Sequence, residues 1–445
     1  MTTVQSDSAV RQPGFERLIE WSLEVSPDAL PPQVIERSAL LVADNLVALL
    51  AAAGDPGVAR AQSALRHSGP SMGTPAQAAA DMAVALAWME LDEGYAKASC
   101  HGGLYSLPVL AALASDSQVS VRTVLGQLCL TYEVVARLAL AYPARRFTWH
   151  PHAMWSSIGA AMARCRAERV EPALALRSLR IASTFAMAGG YEAAIDGAEV
   201  RNIWAAQGIT QGFLAVDLAR SGLDGPSSAP EGIYSRITGR DRCDDAIFTS
   251  GLGVDWAIFD SFTKPYACCQ SSHSAISAVV MMRAQKAFSL DELESVDVTT
   301  PRVEMDCREP QNRLAAQFSL PHAVAAALVL GRADADAFAL DAIADPLIAR
   351  LRRAIRLVPW SAPLQTANAR PAHVRLRFRG GQILEQTLLD AAVTDLAAQR
   401  EAVIGKLTHY ADKNFPRASL ACRQLVEGAP HILDMEWEKF AADWK

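Results

Sequence analysis

The segment Lys264-Pro-Tyr-Ala-Cys-Cys-Gln-Ser-Ser-His273 separates two parts of the chain whose hydrophobic patterns differ. Before it, apolar residues recur at helical spacing. The clearest case is Val34–Ala53, with apolar side chains at positions 34, 39, 41, 42, 46, 47, 49 and 50. A turn signal, Gly54-Asp-Pro-Gly57, follows directly. This pattern continues to about residue 265 and predicts a domain made of helices.

Strand patterns begin beyond that segment. Val296–Val303 mixes β-branched with polar residues. His373–Arg379 and Gln382–Leu389 alternate apolar with polar residues on either side of Gly380-Gly381, which predicts a β-hairpin with one solvated face. Helical spacing returns in four segments, near residues 271–286, 312–330, 392–406 and 431–441.

These patterns together predict a mainly α protein. We expect a large all-helical domain over residues 1–265 and 400–445, and a smaller α+β domain over residues 266–399. The length of 445 residues is sufficient for two or three domains with a large core.

The composition excludes several classes of protein. Hydrophobic residues make up 51% and charged residues 20%, which argues against extended disorder. A net charge of −6 argues against a nucleic-acid partner or an anionic membrane surface. No apolar run approaches the roughly 20 residues that span a bilayer. The eight cysteines follow no disulfide or metal spacing, and no secretory signal is visible, so we expect a cytoplasmic protein.

Cofactor and metal motifs are absent from the sequence. Gly251-Leu-Gly253 lacks the third glycine of a dinucleotide fingerprint, and no phosphate-binding loop occurs. His150-Pro-His152 offers two imidazoles but no third ligand at metal-binding spacing. We therefore expect neither a cofactor nor a metal.

Four polar clusters are candidates for the chemistry. In the first, an apolar helix ends in a loop that contains Glu90, Asp92, Glu93 and His101. If these groups are buried, their pKa values shift and they can act as acids and bases. A solvated helix end is the alternative. The second, Arg145–His152, places two arginines before a helix, which suits an anion, although a charged surface loop has the same composition.

The third and fourth clusters contribute further cations. Arg201, in Glu199–Asn202, opens an apolar helix and could bind a carboxylate or form a structural salt bridge. Lys264 lies at the domain junction, where ligand clefts are common, although a surface hinge lysine is the alternative. The four clusters suit a cofactor-free enzyme that moves a proton beside a carboxylate of a small di- or tricarboxylate.

In this order and at these intervals, the clusters resemble the MmgE/PrpD family of 2-methylcitrate dehydratases, cis-aconitate decarboxylases and iminodisuccinate epimerases. The resemblance covers nearly the whole chain. It implies a homodimer, a large helical domain, a smaller α+β lid domain and an active site between the two.

The match is imperfect at positions that carry chemistry. The family's Asp-aromatic-Asp-Asp-Thr segment corresponds to Glu90-Leu-Asp-Glu-Gly94, so Glu replaces the leading Asp and Gly replaces Thr. A catalytic His matches His101, a substrate-binding Lys is Arg201 here, and an active-site His is Cys269. The clusters and the resemblance together give two sets of expected site residues. The expected catalytic residues are His101, Lys264, Glu90 and Tyr266; the expected substrate-binding residues are Arg201, His150, Cys269, His273 and Arg146.

These replacements favour an epimerase that acts on an amino- or imino-dicarboxylate such as iminodisuccinate, because one proton transfer needs fewer groups than dehydration or decarboxylation. His101 and Lys264 would serve the two faces of the substrate, provided that burial or Arg201 lowers the pKa of Lys264. The alternatives are a dehydratase or decarboxylase acting on a tricarboxylate, and a dicarboxylate-binding protein without catalysis.

Overall fold

The computed structural model describes residues 13–444, except 116, 144–147, 188, 241–242 and 367. The helices before the junction are α1 (Pro13–Glu24), α2 (Pro32–Ala51), α3 (Pro56–Ser68), α4 (Pro75–Trp88), α5 (Gly102–Ala114), α6 (Val121–Ala141), α7 (Pro151–Ala167), α8 (Pro172–Ser183), α9 (Glu192–Ile195), α10 (Trp204–Arg220), α11 (Glu231–Thr238) and α12 (Ala246–Thr249). Two short strands, β1 (Gly94–Tyr95) and β2 (Ser261–Phe262), pair with each other. The fold is mainly α, as the sequence predicts.

A four-stranded sheet follows the junction. Its strands are β3 (Leu293–Thr300), β4 (Ile355–Pro359), β5 (Ala372–Phe378) and β6 (Ile383–Leu388), in the order β4-β3-β5-β6. β3 runs parallel to β4 and antiparallel to β5. β5 and β6 form the predicted hairpin. The helices of this part are α13 (His273–Gln285), α14 (Arg313–Gln317), α15 (Leu320–Leu330), α16 (Leu340–Ala344) and α17 (Pro346–Ala354).

The chain ends in four further helices: α18 (Leu396–Tyr410), α19 (Pro416–Val426), α20 (Pro430–Leu433) and α21 (Trp437–Ala441). α18 and α19 pack against α2, and α21 packs against α5 and α6. The C-terminal helices therefore lie on the first helical part. One cluster of buried apolar side chains runs through both parts of the protein.

α6 and α7 lie deep in this core. α6 is the one helix in the described part of the chain that is long and apolar enough to cross a membrane, but 94% of its most apolar stretch is buried inside the protein, as in a core helix. α7 packs closely against α10 because α10 carries glycine at the contact. A Cβ atom at Gly212 would lie 2.5 Å from Ala160 Cβ and 2.8 Å from Ser157 O.

Candidate active site

The short β1–β2 ladder assembles the site, because it brings the loop after α4 beside the domain junction. Gly94 pairs with Phe262, two residues before Lys264. α4 ends at Trp88, and Glu90 then adopts a left-handed backbone with φ of 55°. This turn directs the following carboxylates inward.

The carboxylates of this loop are buried, so a solvated helix end is wrong for this segment. Glu90, Asp92 and Glu93 are each at most 2% exposed. Lys97 does not pair with Glu93; its Nζ lies 2.6 Å from Asp260 Oδ2. Glu93 accepts hydrogen bonds from the backbone N–H of Gly103 at 2.6 Å and from the side chain of Asn45 at 3.1 Å.

Two of these carboxylates pair with the two cations that the sequence singles out. Lys264 Nζ lies 3.3 Å from Glu90 Oε2 and 3.2 Å from Asp92 Oδ1. The guanidinium of Arg201 forms a second ion pair with the other oxygen of Glu90. Lys264 and Arg201 are both 1% exposed. In this network the charges of two cations balance those of two anions.

This network determines the charge state of Lys264. Burial disfavours the ammonium ion, but Asp92 and Glu90 outweigh that effect and raise the pKa of Lys264 above its ordinary value. Burial also works against the charged form of Asp92, yet Lys264 and His101 hold the pKa of Asp92 well below its usual range. The condition for Lys264 to act as a base is therefore not met, because the lysine keeps its proton.

His101 faces the pocket in a defined tautomer. Its Nδ1 lies 2.7 Å from Asp92 Oδ2 and 2.6 Å from the backbone carbonyl oxygen of Glu93. Both neighbours are acceptors, so Nδ1 carries the proton and donates it. Nε2 makes no hydrogen bond to a residue in the described part of the chain. That nitrogen is free to exchange a proton with a bound molecule.

His150 is placed as an acceptor for Arg201. It lies directly before α7, and its Nε2 accepts a hydrogen bond from Arg201 Nε at 3.0 Å. Burial and the nearby charge of Arg201 lower the pKa of His150 well below its ordinary value. The ring therefore stays neutral and orients Arg201.

His152 is a site residue that the sequence analysis did not select. Its ring centroid lies 4.8 Å from that of His101 and 4.5 Å from that of His150. Tyr105 OH lies 3.1 Å from His152 Nδ1. Burial lowers the pKa of His152, so a neutral imidazole lies behind His101. The spacing His150-Pro-His152 was its only signal in the sequence.

A small pocket with a free volume of about 50 Å³ lies above this network. Six of the sequence-predicted residues line it: Glu90, His101, His150, Arg201, Lys264 and Cys269. Burial raises the pKa of Cys269, so its thiol is neutral in the wall of the pocket.

Two predicted residues, Tyr266 and His273, do not line this pocket. The hydroxyl of Tyr266 lies 3.2 Å from that of Ser277 on α13. His273 Nε2 donates to the backbone carbonyl of Cys268 at 3.2 Å, and burial lowers the pKa of His273 to about 3. It is therefore a neutral structural histidine. Arg146 lies outside the described residues.

The smaller domain contributes lining residues that the sequence analysis missed. They are Gln270, Arg302, Phe318, Asn368 and Arg370. Phe318 lies under the guanidinium of Arg201, 5.1 Å from ring centroid to Cζ. Arg302 and Arg370 each lie two residues from a strand, after β3 and before β5, so both resemble ordinary charged residues at strand ends.

Comparisons with known proteins agree with this architecture. The sequence model of the MmgE/PrpD N-terminal domain matches residues 16–240, and that of the MmgE/PrpD C-terminal domain matches residues 266–427. The chain belongs to the MmgE/PrpD family. This confirms the resemblance on which the site residues were predicted.

Two curated members of the MmgE/PrpD family are similar to this chain. One is the cis-aconitate decarboxylase-like protein oryM of Aspergillus oryzae (strain ATCC 42149 / RIB 40), 24% identical over 427 residues, or 85% of this chain and 87% of the relative. The other is the cis-aconitate decarboxylase of Aspergillus terreus, 22% identical over 367 residues and 74% of each chain. The MmgE/PrpD assignment and these relatives indicate that the chain is an enzyme.

Proposed function

We propose that this protein is a cofactor-independent lyase that removes CO₂ from a small unsaturated tricarboxylate resembling cis-aconitate. The names of both curated relatives support decarboxylation, so we favour this alternative over the epimerase. The observation that carries the proposal is the Asp92–His101 pair, which presents one ring nitrogen to a cation-lined pocket. Homodimer formation and a cytoplasmic location stay predictions.

The charge of the pocket suits a polyanionic substrate. Arg201 and Lys264 are neutralised by Glu90 and Asp92. Arg302 and Arg370 also line the pocket and add two guanidinium groups to its wall. Guanidinium groups suit a ligand that carries several carboxylates.

His101 is the proton donor in the reaction that we propose. When the bond between the substrate carbon and the departing carboxylate breaks, its electron pair moves into a new double bond. The former double bond then supplies a pair to its far carbon, which takes a proton from His101 Nε2. A tricarboxylate and one proton become a dicarboxylate and CO₂. Asp92 stabilises the imidazolium before this transfer.

The proposal is tested by incubating the protein in D₂O separately with cis-aconitate, 2-methylcitrate and iminodisuccinate. Proton NMR and CO₂ release are then followed. We expect CO₂ from cis-aconitate and one deuterium in the product. A new olefin from 2-methylcitrate without CO₂ would indicate a dehydratase. Deuterium at a Cα position without a new olefin would indicate an epimerase. Either result in place of decarboxylation overturns the proposal.

A matched pair of variants tests the role of His101. Because general acid catalysis contributes about 10²- to 10⁴-fold, His101→Gln should lower kcat by that factor. His373→Gln removes a histidine on β5, whose ring contacts Thr387 at 2.8 Å, and should leave kcat unchanged. Full activity in His101→Gln would exclude His101 as the proton donor.

A further inference from the structure

Arg370 places a guanidinium with an unused donor atom in the pocket. Its Nη2 donates to Asn368 Oδ1 at 3.2 Å, and its Cζ lies 5.5 Å from the ring centroid of Phe262. Its Nη1 is buried and makes no hydrogen bond to any residue in the described part of the chain. Only 7% of Arg370 is exposed. Its hydrogen-bonding capacity is therefore incomplete.

Gln270 lines the same pocket and is also unpaired. It is 6% exposed, and neither atom of its amide has a hydrogen-bond partner among the described residues. Burying polar atoms without partners is costly, so such groups indicate a missing ligand. An amide N–H₂ and a guanidinium in the wall of one pocket can both donate hydrogen bonds to a carboxylate.

The cations of the helical part differ from Arg370 in this respect. Arg201 and Lys264 already pair with Glu90, and Lys264 also pairs with Asp92. A substrate carboxylate would have to displace one of these buried partners. Burial lowers the pKa of Arg370, and Asp390 opposes this shift through its negative charge, but Asp390 is exposed and forms no ion pair with Arg370 within 4 Å.

Contacts on both sides hold Arg370 in place. Its backbone carbonyl accepts a hydrogen bond from Ser274 Oγ at 2.6 Å. Asn368, which accepts from its guanidinium, donates to the backbone carbonyl of Ala96 at 2.9 Å. Asn368 thus links the smaller domain to the loop that bears His101. The guanidinium is fixed before any ligand arrives.

We propose that Arg370 and Gln270 form a carboxylate-binding subsite on the smaller domain. This subsite, rather than the Arg201–Lys264 pair, makes the first direct contact with a substrate carboxylate. Only the class of substrate in this inference, a polycarboxylate, rests on the proposed function. It assigns the specificity for polycarboxylates to two residues that lie outside the charge-balanced network.

Tricarballylate is a suitable probe, because this saturated triacid has neither a hydroxyl to eliminate nor a double bond to assist decarboxylation. Its binding to the full chain is measured by titration calorimetry in a buffer without carboxylates. Arg370→Gln should weaken binding by about 10- to 100-fold. Arg370→Lys should bind between Arg370→Gln and the unchanged protein, because it keeps the charge but loses the planar fork.

Two further variants separate binding from folding. Gln270→Glu adds a negative charge to the wall of the pocket, which repels an anionic ligand, so it should also weaken binding. Arg377→Gln, on an exposed part of β5, should bind as the unchanged protein does. Circular dichroism and melting temperatures show which variants are folded.

The outcomes for the subsite and for the reaction are distinct. Binding that depends on Arg370 without turnover of cis-aconitate supports the subsite and overturns the proposed reaction. Turnover of cis-aconitate with the same KM in Arg370→Gln supports the reaction and overturns the subsite. The subsite is also overturned if folded Arg370→Gln and Gln270→Glu bind tricarballylate as tightly as the unchanged protein, or if the unchanged protein does not bind it.

Discussion

Lys264 Nζ lies 3.2 Å from Asp92 Oδ1, although 172 residues separate the two in the chain. Both side chains are buried, and the pairing of Gly94 with Phe262 sets their distance. The strands concerned are only two residues long, so the ion pair and the ladder support each other. The charged network is therefore part of the fold as well as part of the site.

Lys264→Met should destabilise the protein strongly. The substitution keeps most of the side-chain volume but leaves Glu90 and Asp92 with one cation fewer. Removing one partner of a buried ion pair costs about 3 to 5 kcal/mol, because the remaining charge stays out of water. Urea denaturation measures this change in the free energy of unfolding.

Lys97→Met is the matched control for this variant. Lys97 Nζ lies 2.6 Å from Asp260, but its side chain is 57% exposed. Exposed ion pairs contribute about 0 to 1 kcal/mol, so this variant should be nearly as stable as the unchanged protein. Equal losses in the two variants would contradict the view that burial makes the Lys264 pair important.

Glu90→Gln should raise the affinity for anions while lowering stability. The variant keeps the shape of the side chain but leaves Arg201 and Lys264 with one unbalanced positive charge. We expect tricarballylate to bind about 10-fold tighter, because the added potential acts in a buried site. The ligand-free protein should melt at a lower temperature.

The same substitution at Glu385 on β6 serves as the comparison. Glu385 pairs with Arg375 at 2.9 Å on an exposed face of the sheet, so its loss should not alter binding in the pocket. Weaker binding of tricarballylate to Glu90→Gln would contradict this expectation. It would mean that the carboxyl group of Glu90 itself contacts the ligand.

Glu93 should make stability depend on pH. Burial raises the pKa of Glu93 to about 7 from an ordinary value of 4.5. The folded protein therefore holds this proton more tightly than the unfolded chain does. The stability gained in this way is fully present below about pH 4.5 and is lost as the pH rises to about 7.

Glu93→Gln isolates this effect, since glutamine does not titrate. The free energy of unfolding of the unchanged protein, minus that of Glu93→Gln, should fall between about pH 4.5 and 7 and stay constant above. Denaturant titrations at several pH values measure this difference. A difference that is constant over the whole range would show that Glu93 has an ordinary pKa in the folded protein.

The sequence predicted the local structure of this protein well, because helix and hairpin patterns are local. The spacing in Val34–Ala53 matches α2, and Gly380-Gly381 lies between β5 and β6 as predicted. It also identified the segments that contribute Glu90, His101, His150, Arg201, Lys264 and Cys269 to the pocket. Each of these contains a polar group where an apolar pattern is interrupted.

The sequence could not predict which charged side chains form ion pairs with one another in the pocket. Arg201 was expected to bind the substrate and Lys264 to act in catalysis, but the structure pairs both with Glu90. Such pairing depends on contacts between distant segments. Arg370 lies in a polar stretch before β5, and its burial arises only where the smaller domain meets Phe262. No local pattern distinguishes it from the exposed arginines of β5.

Gly94→Ala should destabilise the protein through a single contact with Phe262. A Cβ atom at position 94 would lie 2.3 Å from Cζ of the Phe262 ring, so the ring or the strand must move. Overpacking of this kind costs about 1 to 3 kcal/mol. Gly380→Ala is the control, because no atom lies within 4 Å of the Cβ that it would add.

The double variant that combines Phe262→Leu with Gly94→Ala tests whether the ring of Phe262 requires glycine at position 94. The smaller side chain makes room for the new methyl group, so the double variant should lose less stability than the sum of the two single losses. A coupling energy of about 0.5 to 3 kcal/mol is expected for residues in contact. Urea denaturation of the four proteins gives that energy. Strictly additive losses would mean that Phe262 does not impose glycine at position 94, in the place where the family resemblance implies a threonine.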